Sequence, residues 1–394
     1  MSSPDYFELC LAPFIIALIA VWIIHPIIVK IARAKGIMDR PNARKLQKQP
    51  VPLLGGTVVF FGIFIGFTCS NSSTSNSELF LLLTGMLLML YLGTIDDILT
   101  LNPINRLLVE MGTILLLIYL GEGYEIERLY GLGGIDQLPH WISVPLTLLV
   151  MAGIVNSINL IDGVDGLSSG FGIMACLLFS IAFFVLEDYP MVLLCASTIG
   201  ALTLFFLYNV FGNSSKMFIG DGGTLLLGFI LAVSVVRLIY KAELTIPYTK
   251  YDQASIIPFT LAVLAIPVFD TFRVMFLRFK SGFSPFHPDK QHLHHLFVEM
   301  GFSHIATTGC ILTINLIIVS IWTLGLQYGW SAEVQTIVIV TTAWLATFGL
   351  YNVCSQFKER HPERFGRMVA YIRVKQPQDD RGWFKTMQKI MDRI

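Results

Sequence analysis

The chain has 394 residues, of which 54% are hydrophobic and 14% charged, with a mean hydropathy of +0.68 and no net charge at pH 7. Soluble domains carry about 25% charged residues, so this composition belongs in a bilayer and excludes an ordinary soluble enzyme. A formal charge of zero also argues against a nucleic-acid partner.

Apolar runs of about 20 residues, the length of a helix across hydrocarbon, predict an all-α polytopic membrane protein with about eleven spans. They fall near 9–30, 53–69, 79–95, 105–121, 141–160, 168–187, 190–211, 218–240, 255–277, 306–327 and 335–354. The second and third are short or interrupted by glycine. MSSPDYFE, ahead of the first run, has two acids and no base. A cleavable signal needs a basic start, so the first run reads as a retained anchor with its N-terminus outside. The six cysteines are scattered without C-x-x-C spacing, which argues for small buried hydrophobes rather than zinc ligands or disulfides.

Lys and Arg mark the cytoplasmic side of a membrane protein. The loop after the first run holds Lys30, Arg33, Lys35, Arg40, Arg44, Lys45 and Lys48, and the later loops alternate in the same sense. Of the 27 basic residues, only Arg128, Arg237, Lys241 and Lys250 fall near the other face. The expected topology is N-terminus outside and C-terminus cytoplasmic. It comprises a multi-span domain over 1–355 and a basic tail over 356–394. Trp383, Phe384 and Met387 suit that tail to the anionic inner leaflet, and a solvated tail is the alternative.

This topology puts every polar cluster at the cytoplasmic rim. Asp96 and Asp97 end the third run. Adjacent residues on a helix diverge by about 100°, so one carboxylate can face a metal or phosphate while the other is anchored by a base; interfacial helix-end acids are the plain alternative. Arg106 follows, to hold a phosphate or to snorkel. NSINLIDGVDGL (156–167) closes the fifth run with Asn156 and Asn159 on one helix face, a cluster too polar for hydrocarbon without a ligand or water. In Gly220-Asp221-Gly222-Gly223 the glycines allow close backbone approach and the helix start offers free N–H groups. A carboxylate there suggests a bridging Mg²⁺, or simply an N-cap. The segment 278–295 carries His287, His292, His294 and His295 beside Arg278, Lys280 and Lys290, donors suited to a diphosphate. No two of these histidines are spaced i, i+4; Gln291 occupies the position that would complete such a pair. No phosphate loop of the G-x-x-x-x-G-K-[ST] type occurs.

Taken in order, DD at 96–97, NxxNxxDGxDGL at 156–167, FIGDGG at 218–223 and SPFxPDxxHxHH at 284–295 resemble the polyprenyl-phosphate N-acetylhexosamine-1-phosphate transferases. The chain is most similar to the bacterial undecaprenyl-phosphate α-N-acetylglucosaminyl 1-phosphate transferases, and the resemblance covers roughly residues 30–300. It implies transfer of a sugar-1-phosphate from a cytosolic UDP-N-acetylhexosamine to undecaprenyl phosphate in the bacterial inner membrane, with release of UMP and a requirement for Mg²⁺, or Mn²⁺ in its place. The implied partners are those two substrates and the bilayer, with self-association left open.

By the same resemblance Asp221 ligates the metal with help from Asn159, and Asp165 and Phe218 hold the uracil, Phe218 by stacking. Asp96, Asp97 and Arg106 meet the lipid phosphate and the diphosphate. Arg278, His292, His294 and His295 contact the diphosphate or sugar, and Asn156 and Asp162 support these groups. Thr100 stands where many relatives have a third Asp, and Gln47 where they often have His. A phosphate monoester nucleophile has a second pKa of about 6, so direct displacement needs no strong base. Asp97 then orients or accepts a proton, and a covalent aspartyl intermediate is the rival. Two alternatives remain: the same reaction with another donor, including UDP-MurNAc-pentapeptide, and an ion-coupled transporter whose main intramembrane acid is Asp270.

Overall fold

The computed structural model describes residues 7–40, 49–70, 76–245, 252–284, 291–375 and 382–393. The described chain is all-α apart from one two-residue pairing of 38–39 with 51–52 and an isolated bridge between Arg128 and Gln137. The first half contains α1 (Ala12–Lys35), α2 (Gly55–Ser70), α3 (Asn76–Leu99), α4 (Pro103–Leu120), α5 (His140–Leu160), α6 (Leu167–Val185), α7 (Tyr189–Phe211) and α8 (Gly220–Thr245). The second half contains α9 (Ile256–Val263), α10 (Ala265–Lys280), α11 (Leu293–Glu299), α12 (His304–Gln327), α13 (Ala332–Trp344), α14 (Leu350–Arg360), α15 (Pro362–Lys375) and α16 (Gly382–Arg393).

Among the described residues nine helices are long and apolar enough to cross a membrane, or ten if one bent pair counts as a span. The count of about eleven is therefore not reached by length. The run near 53–69 is α2, apolar but only 16 residues long. The run near 255–277 is the bent pair α9 and α10, broken by 67° at Leu264. Freed backbone groups in hydrocarbon must find partners, and here the buried Asn315 of α12 supplies them. Its Nδ2 donates to the carbonyls of Val263 at 2.9 Å and Ala262 at 3.3 Å, and its Oδ1 accepts the Ile266 N–H at 3.0 Å. Pro267, four residues after Val263, has no N–H to give that carbonyl.

The most apolar 18-residue stretch of α8 is wholly buried, with α3, α5, α2 and α6 packed around it. Gly228 allows the close approach of α5, since a Cβ there would lie 2.7 Å from Val155 Cα. The two ends of α8 divide the charged groups. Toward the far end, roughly 24 to 33 Å from Asp221 at 1.5 Å per residue, Arg237 is buried against Asp188 at 2.8 Å and Glu78 at 3.0 Å, and Arg128 pairs with Glu243 at 3.0 Å. Arg128, Arg237 and Lys241 thus sit together there, apart from the polar clusters at the Gly220 end.

The segment after 355 continues α14 to Arg360, folds α15 against the turn at Gly301, and returns as α16 to the end of α7. Of the cysteines, Cys176 and Cys195 are buried and Cys10, Cys310 and Cys354 half-buried. Cys69 is exposed, against the expectation for it.

Candidate active site

Asp96 and Asp97 leave the end of α3 in different directions, as their spacing requires. Asp97 turns to α8, where its two oxygens accept the N–H groups of Asp221 at 3.0 Å and Gly222 at 3.2 Å. The N–H groups expected to be open to a ligand are therefore already held by a carboxylate, the charge that a helix start favours. The glycines also work differently from the expectation. A Cβ on Gly56 would lie 2.2 Å from Gly223 N, and one on Gly93 would lie 2.3 Å from the Asp221 carbonyl oxygen. Gly220 has φ +68°, and a Cβ there would meet Asp97 at 2.5 Å. The glycines let the 218–223 turn lodge between α2 and α3, which fixes where Asp221 stands. Thr100, with φ +50°, ends α3 exposed, its N–H on the Asp96 carbonyl.

Asp96 is the carboxylate anchored by a base. Arg106 of α4 donates to it at 3.1 Å, to Asn156 Oδ1 at 2.9 Å and to Asn159 Oδ1 at 3.5 Å, and its Nε stands 3.3 Å from Glu110. Glu110 is completely buried and also accepts from Asn156 Nδ2 at 2.7 Å. Asn156, little explained by sequence, thus bridges Arg106 and Glu110. Asn159 continues the chain, its Nδ2 donating to Asp221 Oδ1 at 2.7 Å and to Thr224 Oγ1 at 2.8 Å. Asp96, Asp97, Arg106, Asn156, Asn159 and Asp221 therefore form one connected group built from α3, α4, α5 and α8. In this arrangement Asn159 presents its amide nitrogen, not its oxygen, to Asp221.

Beside it, Asp165 accepts from Lys216 Nζ at 2.7 Å and from His304 Nδ1 at 2.8 Å. Burial pushes its carboxyl up, but the His304 hydrogen bond and the Lys216 charge outweigh that and hold it below the usual carboxylate range. The same Lys216 ammonium lies 5.8 Å from the centre of the half-buried Phe218 ring, so Asp165 and Phe218 share one recess. Asp162, exposed in the turn after α5, accepts from Ser168 Oγ at 2.6 Å. Desolvation first, then the Asp221 and Asp165 charges, push its carboxyl upward against the Ser168 hydroxyl. Its open face to water limits that rise.

A relative from Bacillus subtilis (strain 168), named a probable undecaprenyl-phosphate N-acetylglucosaminyl 1-phosphate transferase, is 30% identical over 339 residues, covering 86% of this chain and 87% of its own. The undecaprenyl-phosphate alpha-N-acetylglucosaminyl 1-phosphate transferase of Escherichia coli (strain K12) is 28% identical over 331 residues, covering 82% and 85%. The Glycosyl transferase family 4 profile matches residues 79–239, which hold every contact of the connected group just described. The chain belongs to glycosyl transferase family 4. It is a multi-pass membrane glycosyl-1-phosphate transferase.

In this transferase the histidine segment lies beyond the matched region and is built separately. Asp270 of α10 is fully engaged, by Arg273 at 2.7 Å, His292 Nδ1 at 2.9 Å and the Leu293 N–H at 3.1 Å. It fixes the His292 ring. His294 stacks parallel to His292 with centroids 5.7 Å apart, and His295 tilts against His294 at 4.2 Å. His294 Nε2 faces Gly163, where a Cβ would sit 2.3 Å away, and so joins this segment to 156–167. The Nε2 atoms of His292 and His294 are buried and have no hydrogen-bond partner among the described residues. Burial, ahead of the neighbouring His295 and His292, holds His294 well below the usual imidazole range. Arg278 is buried in the last turn of α10. Gln47, His287 and Lys290 lie outside the described residues.

Sequence reasoning missed Glu110, Lys216, Thr224, His304 and Asp270 as an anchor. Glu110 had a signal, because an acid inside an apolar span is a functional candidate in itself. Lys216 and His304 had none, since their meeting at Asp165 depends on the fold. The polar group also has an apolar neighbour. A groove of about 730 Å³ between α4, α5, α8, α9 and α10 reaches from the exposed Leu149 and Phe272 to Leu107 and Asn156, at the foot of Arg106.

Proposed function

We propose that the transferase moves N-acetylhexosamine-1-phosphate, most readily GlcNAc-1-phosphate, from its UDP donor to undecaprenyl phosphate, releasing UMP and starting a lipid-linked envelope glycan. The observation that carries this reading is the apolar groove ending at Asn156 beside Arg106. A polyprenyl chain needs an apolar channel open to lipid, and its phosphate needs a cation at the end of that channel. The recess of Asp165, Lys216 and Phe218 supports a planar base as the other substrate, through ring contact and hydrogen bonding. The names of the relatives support undecaprenyl phosphate as the acceptor and N-acetylglucosaminyl 1-phosphate as the group moved.

The reaction is a direct displacement. An oxygen of the lipid phosphate forms a bond to the sugar-bearing phosphorus of the donor as the bond from that phosphorus to the UMP oxygen breaks. The nucleophile is already largely dianionic near pH 7, with a second pKa of about 6, so the chain's task is positioning and charge stabilisation. Arg106 holds the attacking phosphate, and Glu110 and Asn156 hold Arg106. Asp97 orients the Asp221 turn through the two N–H groups it accepts. His292, fixed by Asp270, and His294 offer Nε2 to the diphosphate or sugar. Among the described residues no three His, Cys, Asp or Glu side chains converge on a metal position. Asp221, with Asn159 beside it, would hold Mg²⁺, a hard cation that prefers oxygen ligands. When bound, that ion neutralises diphosphate charge, with Mn²⁺ as its substitute.

We place the site at the cytoplasmic face of the bacterial inner membrane, with eleven membrane passages, the N-terminus outside and the C-terminus inside. The split of basic residues between the two ends of α8 supports that orientation. The test is purified protein with undecaprenyl phosphate, Mg²⁺ and a panel of UDP-sugars, measuring UMP. UDP-GlcNAc is expected to give the highest kcat/KM. Preference for UDP-MurNAc-pentapeptide or another N-acetylhexosamine would reassign the donor, and silence with all donors would reject the reaction.

A further inference from the structure

We propose that the C-terminal helix α16 is a positioning element for the donor site, holding the 213–216 loop through Asp392 so that Lys216 and Phe218 stand where the nucleotide binds. Asp392 Oδ1 accepts the N–H groups of Asn213 and Ser215 and the Ser215 hydroxyl, each at 3.0 Å. These partners lie 177 to 179 residues away in sequence, so the contact exists only because α16 folds back. Burial pushes the Asp392 carboxyl up, yet the Asn213 and Ser215 donors outweigh it and hold it below the usual carboxylate range. The carboxylate form thus carries the contact at neutral pH.

The apolar face of α16 brings Asp392 to this place. Phe384 packs on Phe211 of α7 at 5.2 Å, Trp383 meets the same ring at 5.9 Å, and Met391 is buried. From the opposite side, α1 grips the loop as well: His25 Nε2 meets the Ser215 carbonyl at 2.8 Å, and Arg33 donates to that of Ser214. The loop is thus clamped between α1, α7 and α16. Its next residue, Lys216, reaches across to Asp165 and lies over the Phe218 ring. A backbone shift at Ser215 carries Lys216 with it. The effect of α16 on Asp165 and Phe218 passes through this loop.

This inference rests on the reading that Asp165, Lys216 and Phe218 hold the nucleotide. The test uses the full-length protein, Asp392→Ala, a chain ending at residue 381, and Phe218→Ala as a control, with donor KM, acceptor KM and kcat measured separately. Losing a set of charge-assisted hydrogen bonds is expected to raise donor KM by on the order of tenfold in the first two variants. Acceptor KM should not change, and a synthetic peptide of residues 382–394 should lower the donor KM of the shortened chain again. Unchanged donor KM in both variants, with Phe218→Ala raising it, would overturn the role of α16 and leave the nucleotide reading standing. Unchanged donor KM in Phe218→Ala would overturn that reading, and this inference with it. A fall in kcat with a rise in both KM values, not reversed by the peptide, would assign α16 to fold stability alone and equally overturn the proposal.

Discussion

Arg106→Met separates what holds the site together from what performs its chemistry. Arg106 stands 3.3 Å from Glu110, which is completely buried, and 3.1 Å from Asp96. At an effective dielectric constant of about 20, a pair at the first distance attracts by about 5 kcal/mol. Breaking a buried pair by removing one partner costs about 3–5 kcal/mol, because the other charge is left without compensation. Arg106→Met is therefore expected to lose up to that much stability in detergent unfolding, less where the stranded Glu110 takes up a proton, while Asp96 keeps the Leu101 N–H at 2.7 Å. Replacing both partners removes the stranded charge, so Arg106→Met with Glu110→Met should recover most of the loss, within about 1 kcal/mol of the parent. Both variants should be inactive, since neither has a cation at the end of the groove. A double variant no more stable than Arg106→Met would refute the buried pair, and an active one would remove Arg106 from the chemistry.

Gly93→Ala forces a Cβ to within 2.3 Å of the Asp221 carbonyl and should destabilise by about 1–3 kcal/mol or more through overpacking; Gly112→Ala, where a Cβ meets nothing within 4 Å, should not, and equal unfolding midpoints would contradict the packed turn. Asp221→Asn should abolish UMP release while the protein unfolds at the parent midpoint, and normal turnover would remove Asp221 from the reaction. His294 is held well below the usual imidazole range, so on acidification the unfolded chain takes up its proton before the folded one does. Stability should be full above about pH 6.5 and fall as pH drops below it. His294→Phe should flatten that slope between pH 7.5 and 5.5, and an unchanged slope would refute the buried neutral ring.

The clusters were legible because polar residues at the ends of apolar runs stand out against a composition that is otherwise 14% charged. The divergence of Asp96 from Asp97 followed from helix geometry alone, whereas the anchoring of Asp96 by Arg106 depends on where α4 packs. The purpose of the glycines was not legible. Gly220 and Gly222 flank Asp221 whether they open it to a ligand or let α2 and α3 press against it, and only contacts from Gly56 and Gly93 decide between these. The cap of Asp97 on α8 joins residues 124 apart, and the meeting of Lys216 and His304 at Asp165 is equally non-local. Helix length alone gives nine or ten spans among the described residues, because tertiary contacts replace local rules in the bent pair. The run near 255–277 looks continuous in hydropathy, yet it bends because Asn315, on another helix, satisfies the broken backbone. Amphipathic residues in the tail suggested a surface helix, but nothing local pointed Asp392 toward Asn213 and Ser215.

The most direct test is acceptor dependence with a donor labelled in the sugar-bearing phosphate. Purified transferase, Mg²⁺ and labelled UDP-GlcNAc should release no UMP and label no protein until undecaprenyl phosphate is added. Each UMP released should then appear with one labelled lipid. Label retained on the protein before lipid is added, or UMP formed without lipid, would contradict direct displacement at this site.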